Sequence, residues 1–269
     1  MSASLEASTP STGARKRPLR HLKGWALPVF ILVVWQLLAT LGNISPVLLP
    51  APSRVLQAGW DLTLSGDLPL HLLMSLQRAG LGLIVGGIPA LILGTWVGMS
   101  REAESWVDTT VQMNRTIPNL ALAPLLILWF GIDELPKVLL VGAAVFFHIY
   151  VNTFHGIRGV DRKLVEVATV LRLGTWERLR VLVFPAALPS ILLGLRLALG
   201  SAWLALIAAE ILGAHRGIGS MIWDAREFSQ TDIVLLGVVV YAVSGKLIDS
   251  LIRLIERRAL RWRQTFEGV

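Results

Sequence analysis

Cysteine is absent from the 269 residues, so neither a disulfide nor a thiolate centre can be built from this chain. Charge is scarce, at 16% of residues against about a quarter in an ordinary water-soluble domain. The deficit accompanies 54% hydrophobic residues in long runs and a mean hydropathy of +0.64, so the solvent for this fold is lipid. No G-x-x-x-x-G-K-[ST] loop occurs. The Gly245-Lys246 pair is followed by Leu247 inside an apolar run, so ATP phosphates are not cradled by that route. Neither H-E-x-x-H nor G-x-S-x-G is present. His148 and His155 share a helix face but sit about 10 Å apart along its axis, too far for one metal ion without help. They read as packing or interfacial histidines. An intramembrane enzyme stays open as an alternative only through groups assembled from distant spans.

What is present is a series of apolar segments near Trp25–Leu41, Arg78–Met99, Ile117–Phe130, Val138–Thr153, Leu188–Leu212 and Ile233–Ile252. The expectation is an all-α polytopic membrane protein of about six spans, with five as the alternative if the first is peripheral. Residues 1–24 are small, polar and then basic, a composition that cannot bury enough apolar surface to fold alone. The apolar run at 25–42 is longer than a signal-peptide core and no small-x-small cleavage site follows, so it reads as an uncleaved first span. The third segment carries Pro118 and Pro124, tolerated in a span where neighbours satisfy the freed carbonyls.

Net charge is +7, and its placement matters more than its sum. One set of alternate segments holds eighteen Lys and Arg, five before the first span and five in a basic tail that includes 257–269. The opposite set holds only Arg54, Lys137, Arg216 and Arg226. This asymmetry predicts both termini in the cytoplasm and gives no reason to invoke nucleic acid. Gly82-x-x-x-Gly86 and Gly94-x-x-x-Gly98 allow close helix approach, read first as packing within one bundle rather than as a dimer face. No internal repeat is visible, which weighs against many ion-driven carrier folds.

The stretch EVATVLRLGTWERLRVLVFPAALP, from Glu166 to Pro189, is more polar than its flanks. Asp161 is a plausible N-cap for a short helix and Gly174 its expected stop, with Leu164, Val167, Ala168 and Leu171 on one face. Such a helix either lies on the membrane surface or offers Ala168 as a point of close approach for another protein. Its start and its Pro185 end resemble the EAA loop of binding-protein-dependent ABC transporter permeases. Glu166, Ala168, Leu182 and Pro185 match that pattern, while Val167 replaces Ala and Phe184 replaces Leu. Arg172 stands where the family has Gly, and Gly174 is expected to take over the turn. NLALAPLLILWFGIDELPK, IYVNTFHGIR and DAREFSQTDIV resemble stretches of aliphatic sulfonate permeases, a subfamily similar to those for taurine, nitrate and bicarbonate.

The resemblance implies a type I importer permease with a MetI-like fold over 70–256 and a coupling loop at 155–187. It implies a transport subunit with no cofactor and no catalysis of its own, acting as a homodimer. Cytoplasmic ABC ATPase subunits and an extracytoplasmic substrate-binding protein are the implied partners, and a small anion of the sulfonate type the implied cargo. Charges within the spans fall at Arg78, Arg196, Glu210, Lys246 and Asp249. Lys246 and Asp249, three apart, are expected to pair. Arg196 either snorkels or meets the anionic cargo in the pathway, and Glu210 is expected to repel an anion. The segment GAHRGIGSMIWDAREFSQTD is either a solvated loop or a docking surface.

Overall fold

The structure is a computed structural model and describes residues 19–42, 45 and 47–262. The expectations for residues 1–18 and for the tail beyond 262 lie outside the described residues. The chain divides into two compact units, 1–54 and 55–269. In the first, α1 spans Leu19–Thr40, so the helix begins six residues before the expected first span. Apolar side chains dominate its described surface, and Gln36 receives the backbone N–H of Ser53 at 3.1 Å.

The second unit holds the long helices. After α2 (Pro52–Leu64) come α3 (Asp67–Met99), α4 (Arg101–Asn114), a 3-10 turn at Asn119–Leu122, and α5 (Ala123–Phe130). Then follow α6 (Glu134–Arg158), α7 (Arg162–Val170), the single turn α8 (Thr175–Arg178) and α9 (Phe184–Ile211), with α10 (Ile218–Glu227) and α11 (Thr231–Ala259) closing the order. Among the described residues four helical stretches are long and apolar enough to cross a membrane: Asp67–Met99, Glu134–Arg158, Thr175–Ile211 and Thr231–Ala259. The other two expected spans fall on α1 and, as a shorter apolar helix, on Asn119–Phe130. The second of these is interrupted where Pro118 and Pro124 remove backbone donors, so its twelve residues cover at most about 20 Å of a ~30 Å apolar core.

Helix α6 is the buried axis of this unit, packed between α3 and α9. Small residues permit that closeness. A Cβ on Gly86 would fall inside the carbonyl of Gly142, and one on Gly94 would lie 2.9 Å from the Tyr150 carbonyl oxygen. The same arrangement on the other side sets Gly194 of α9 3.0 Å from the His148 carbonyl by the same construction. The glycine pattern of α3 therefore serves packing inside one chain, the first of the two readings above. On the far face of α9, Trp203 stacks on Tyr241 of α11 at 4.5 Å and donates to its carbonyl at 3.0 Å.

Candidate coupling site and charged core

The short helix forms where the sequence placed it. Asp161 leaves the helical backbone region and its carboxylate accepts the Lys163 N–H at 2.9 Å. The end is different. Arg172 adopts φ 54, its N–H reaches the Thr169 carbonyl, and the Leu173 N–H reaches the Ala168 carbonyl, both at 3.0 Å. These are the two bonds of a Schellman C-cap, with an arginine at the left-handed position. Gly174 does not take over the turn: with φ −62 it opens α8, and its N–H is received by Glu177. The bond pattern closes at 172, so the strain of a side chain falls on Arg172.

The exposed face is apolar. Val167, Val170 and Leu171 are 55%, 82% and 64% exposed, and Glu166 stands beside them without an ion pair among the described residues. Ala168 is 2% exposed, because α7 leans on the returning segment Leu179–Val183. It is thus in contact with the chain's own return, while Leu164, Val167 and Val170 are exposed beside it. The return is a π-helical turn at Leu179–Val183, which absorbs the donor missing at Pro185. Val183 and Ala187 pack on Ile157 at the end of α6, so both ends of the loop are tied to the bundle. Leu182 is half-buried and Pro185 exposed. The structure thus joins α7 and the Leu182–Pro185 return into one helical hairpin continuous with α9.

Arg196 lies apart from that hairpin. Its Nε donates to Asp249 Oδ1 at 2.9 Å, and Arg253 Nε donates to the other oxygen at 2.9 Å. Lys246 is left at 3.9 Å and largely exposed, so the expected Lys246–Asp249 pair is secondary. A cross-helix partner within direct reach outcompetes one on the same helix. His148 is engaged as well, its Nε2 2.6 Å from the Ser201 hydroxyl across α6 and α9.

The most buried charges sit at the end of the bundle opposite the hairpin. Arg78 clasps Glu134 through Nε at 2.6 Å and Nη2 at 2.9 Å, and reaches Glu210 through Nη1 at 2.8 Å. Side-chain exposure is 3% for Arg78 and 0% for Glu210. The remaining acceptor capacity of Glu210 is filled by Ser75 Oγ at 2.6 Å and the Gly219 N–H at 2.7 Å. Ser75 in turn receives the Ile218 N–H at 2.9 Å, and His71 Nδ1 receives that of Gly217 at 3.0 Å. Glu210 therefore caps the start of α10, where a carboxylate is favoured, while its charge is met by Arg78. The expectation that Glu210 repels an anion is corrected, because its charge is already paired. Residues 217–221 of the segment are buried core, while His215, Arg216 and the later part, where Arg226 sits 4.8 Å over Trp223, are surface. Sequence reasoning noted Arg78 and Glu210 separately and missed Glu134. The available signal was one cation and two carboxylates at the same end of three adjacent helices.

Residues 82–261 match the family described as binding-protein-dependent transport system inner membrane component. The chain is 47% identical over 275 residues to the putative aliphatic sulfonates transport permease protein SsuC of Bacillus subtilis (strain 168), covering 100% of both. It is 47% identical over 251 residues to the protein of the same name from Escherichia coli (strain K12), covering 93% of this chain and 95% of that one. The taurine transport system permease protein TauC of Escherichia coli (strain K12) is 36% identical over 237 residues, covering 86% of each. Among solved structures, an amino acid ABC transporter with histidines has the same fold at a TM-score of 0.60 and 19% identity, covering 73% of this chain and 97% of that one. The all-helical fold, the helices long enough to span a membrane and the full-length match agree: the chain belongs to the inner membrane components of binding-protein-dependent transport systems, a transport subunit rather than an enzyme.

Proposed function

We propose that the chain is the permease of an ATP-driven importer for aliphatic sulfonates. The observation that carries the cargo is end-to-end similarity at 47% identity to permeases named for aliphatic sulfonates, against 36% for the taurine permease. The exposed apolar face of α7 supports the coupling role: it receives a cytoplasmic ATPase, and closure of that partner moves α9 through the Thr175–Val183 return. In this reading Glu166, Arg172, Gly174, Leu182 and Pro185 belong to the coupling loop, and Ala168 holds the loop to its own return. Two copies form the pathway, a substrate-binding protein delivers the anion to the opposite end, and the basic asymmetry of the loops places both termini in the cytoplasm.

The test is uptake into vesicles holding the permease, its ATPase and its binding protein. Ethanesulfonate is expected to accumulate only with internal ATP, ahead of taurine and nitrate. Accumulation without ATP points instead to an ion-driven carrier, and preferential uptake of nitrate overturns the cargo. Arg196 is the proposed pathway cation, with its terminal nitrogens left for an oxyanion once Nε is held by Asp249. Arg196→Leu at normal membrane level is then expected to lower uptake at least ten-fold; unchanged uptake removes it from the pathway.

A further inference from the structure

Between the start of α9 and the end of α11 lies an open groove of about 650 Å³, lined by Ser190, Leu193, Arg196, Arg253, Arg257 and Arg261 among others. Arg253 and Arg257 share a face of α11, and Arg261 follows at the same spacing just past the helix end at Ala259. Their employment differs. Arg196 and Arg253 are bound to Asp249. Arg257 and Arg261 make no ion pair among the described residues, and Glu256 is the carboxylate in the lining. Four guanidinium groups against Asp249 and Glu256 leave an excess of two positive charges facing an open volume. Unsatisfied cations so close together repel one another unless an anion lies between them.

The surroundings specify what kind of anion. Leu193 and Leu197, one turn apart on α9, are 47% and 46% exposed and lead from the groove along the apolar span. Leu251, Leu254 and Ile255 of α11 are exposed beside these arginines, and Trp262 just past Arg261 is 60% exposed. Tryptophan at the end of an apolar span marks the level of the membrane–water boundary. A cationic recess at that level, with apolar side chains running away from it into the span, fits a molecule that is anionic at one end and hydrocarbon at the other. A free anion would use the arginines and leave the leucine track unexplained.

We propose that this groove seats the headgroup of an anionic phospholipid, its phosphate between Arg257 and Arg261 and one acyl chain along Leu193 and Leu197. The lining shares Arg196 with the proposed pathway, and the phosphate is assigned to Arg257 and Arg261, which that pathway does not use. Because α9 continues directly from the hairpin return, the lipid braces the helix that the coupling loop moves.

The test uses the full chain in neutral detergent, stripped of lipid, then supplied with phosphatidylglycerol or phosphatidylcholine and weighed intact by native mass spectrometry. Wild type is expected to retain phosphatidylglycerol about ten-fold more than Arg257→Ala/Arg261→Ala, on the order expected for two lost cation–phosphate attractions. Arg258→Ala, on the same turn but outside the groove, is expected to behave as wild type. The doubly conservative Arg257→Lys/Arg261→Lys keeps the charge and is expected to recover retention, which separates loss of the site from loss of the fold. Equal retention of phosphatidylglycerol by wild type and the double alanine variant overturns the site. So does phosphatidylcholine held as strongly, and full displacement of the lipid by millimolar inorganic phosphate assigns the groove to free anions instead.

Discussion

Arg78→Met is expected to destabilise the folded chain by on the order of 3–5 kcal/mol, the usual cost of removing one partner from a buried ion pair. The side chain is of similar length, so little packing volume is lost. What is lost, among the described residues, is the one cation paired with Glu210, whose side chain has no solvent exposure, together with the clasp on Glu134. The uncompensated Glu210 also holds the Gly219 N–H and Ser75, so the start of α10 is loosened with it. Glu134→Gln is expected to be far milder, since its side chain is 48% exposed and water replaces part of the lost interaction. Thermal unfolding of the purified chain in detergent reads both. Adding Glu210→Gln to Arg78→Met removes the stranded charge and is expected to return part of the loss, as a double-mutant cycle measures. If Arg78→Met unfolds at the wild-type temperature, the network does not secure this end of the bundle.

Gly86→Ala is expected to be nearly as damaging, although it adds one methyl group. The methyl would occupy the space of the Gly142 carbonyl, which is backbone and cannot rotate away. Helices α3 and α6 must then separate along their contact, and the close approach at Gly82, Gly94 and Gly98 is lost with it. A cost of roughly 3 kcal/mol lies at the upper end of overpacking effects. The control is Gly80→Ala on the same helix, where a Cβ meets nothing within 4 Å. There the change is expected to be neutral or to stabilise by about 0.5–1 kcal/mol through helix propensity. Equal behaviour of the two alanine variants in the same unfolding measurement contradicts the packing account.

The sequence made the helices legible because lipid solvent forces long apolar runs, and it made the hairpin legible because that segment breaks the pattern. Asp161 was readable as a cap because a carboxylate before an amphipathic turn has few other uses. The stop at Arg172 was not readable: local preference favours Gly174, whereas in the fold, with α7 packed on Leu179–Val183, the left-handed position falls on Arg172. Ala168 illustrates a different gap, since a small residue permits approach without saying whether the neighbour is another chain or the same one. The partners of Arg78 and Asp249 come from helices far apart in sequence, so no local spacing reveals them. In each case the charged residue was visible and its contact was not.

The absence of cysteine and the exposure of Glu166 allow a direct test of the coupling hairpin. The measurement is mild-detergent purification of the tagged chain from its native membranes, wild type beside Glu166→Lys, with copurifying proteins identified by mass spectrometry and ATP-driven uptake measured in parallel. Wild type is expected to carry an ABC ATPase. The variant, with a positive charge set into the exposed face of α7 and no internal contact disturbed, is expected to reach the membrane at normal level, to lose most of that ATPase and to fail in uptake. An ATPase retained equally by the variant, with uptake intact, contradicts the assignment of α7 as the surface that receives it.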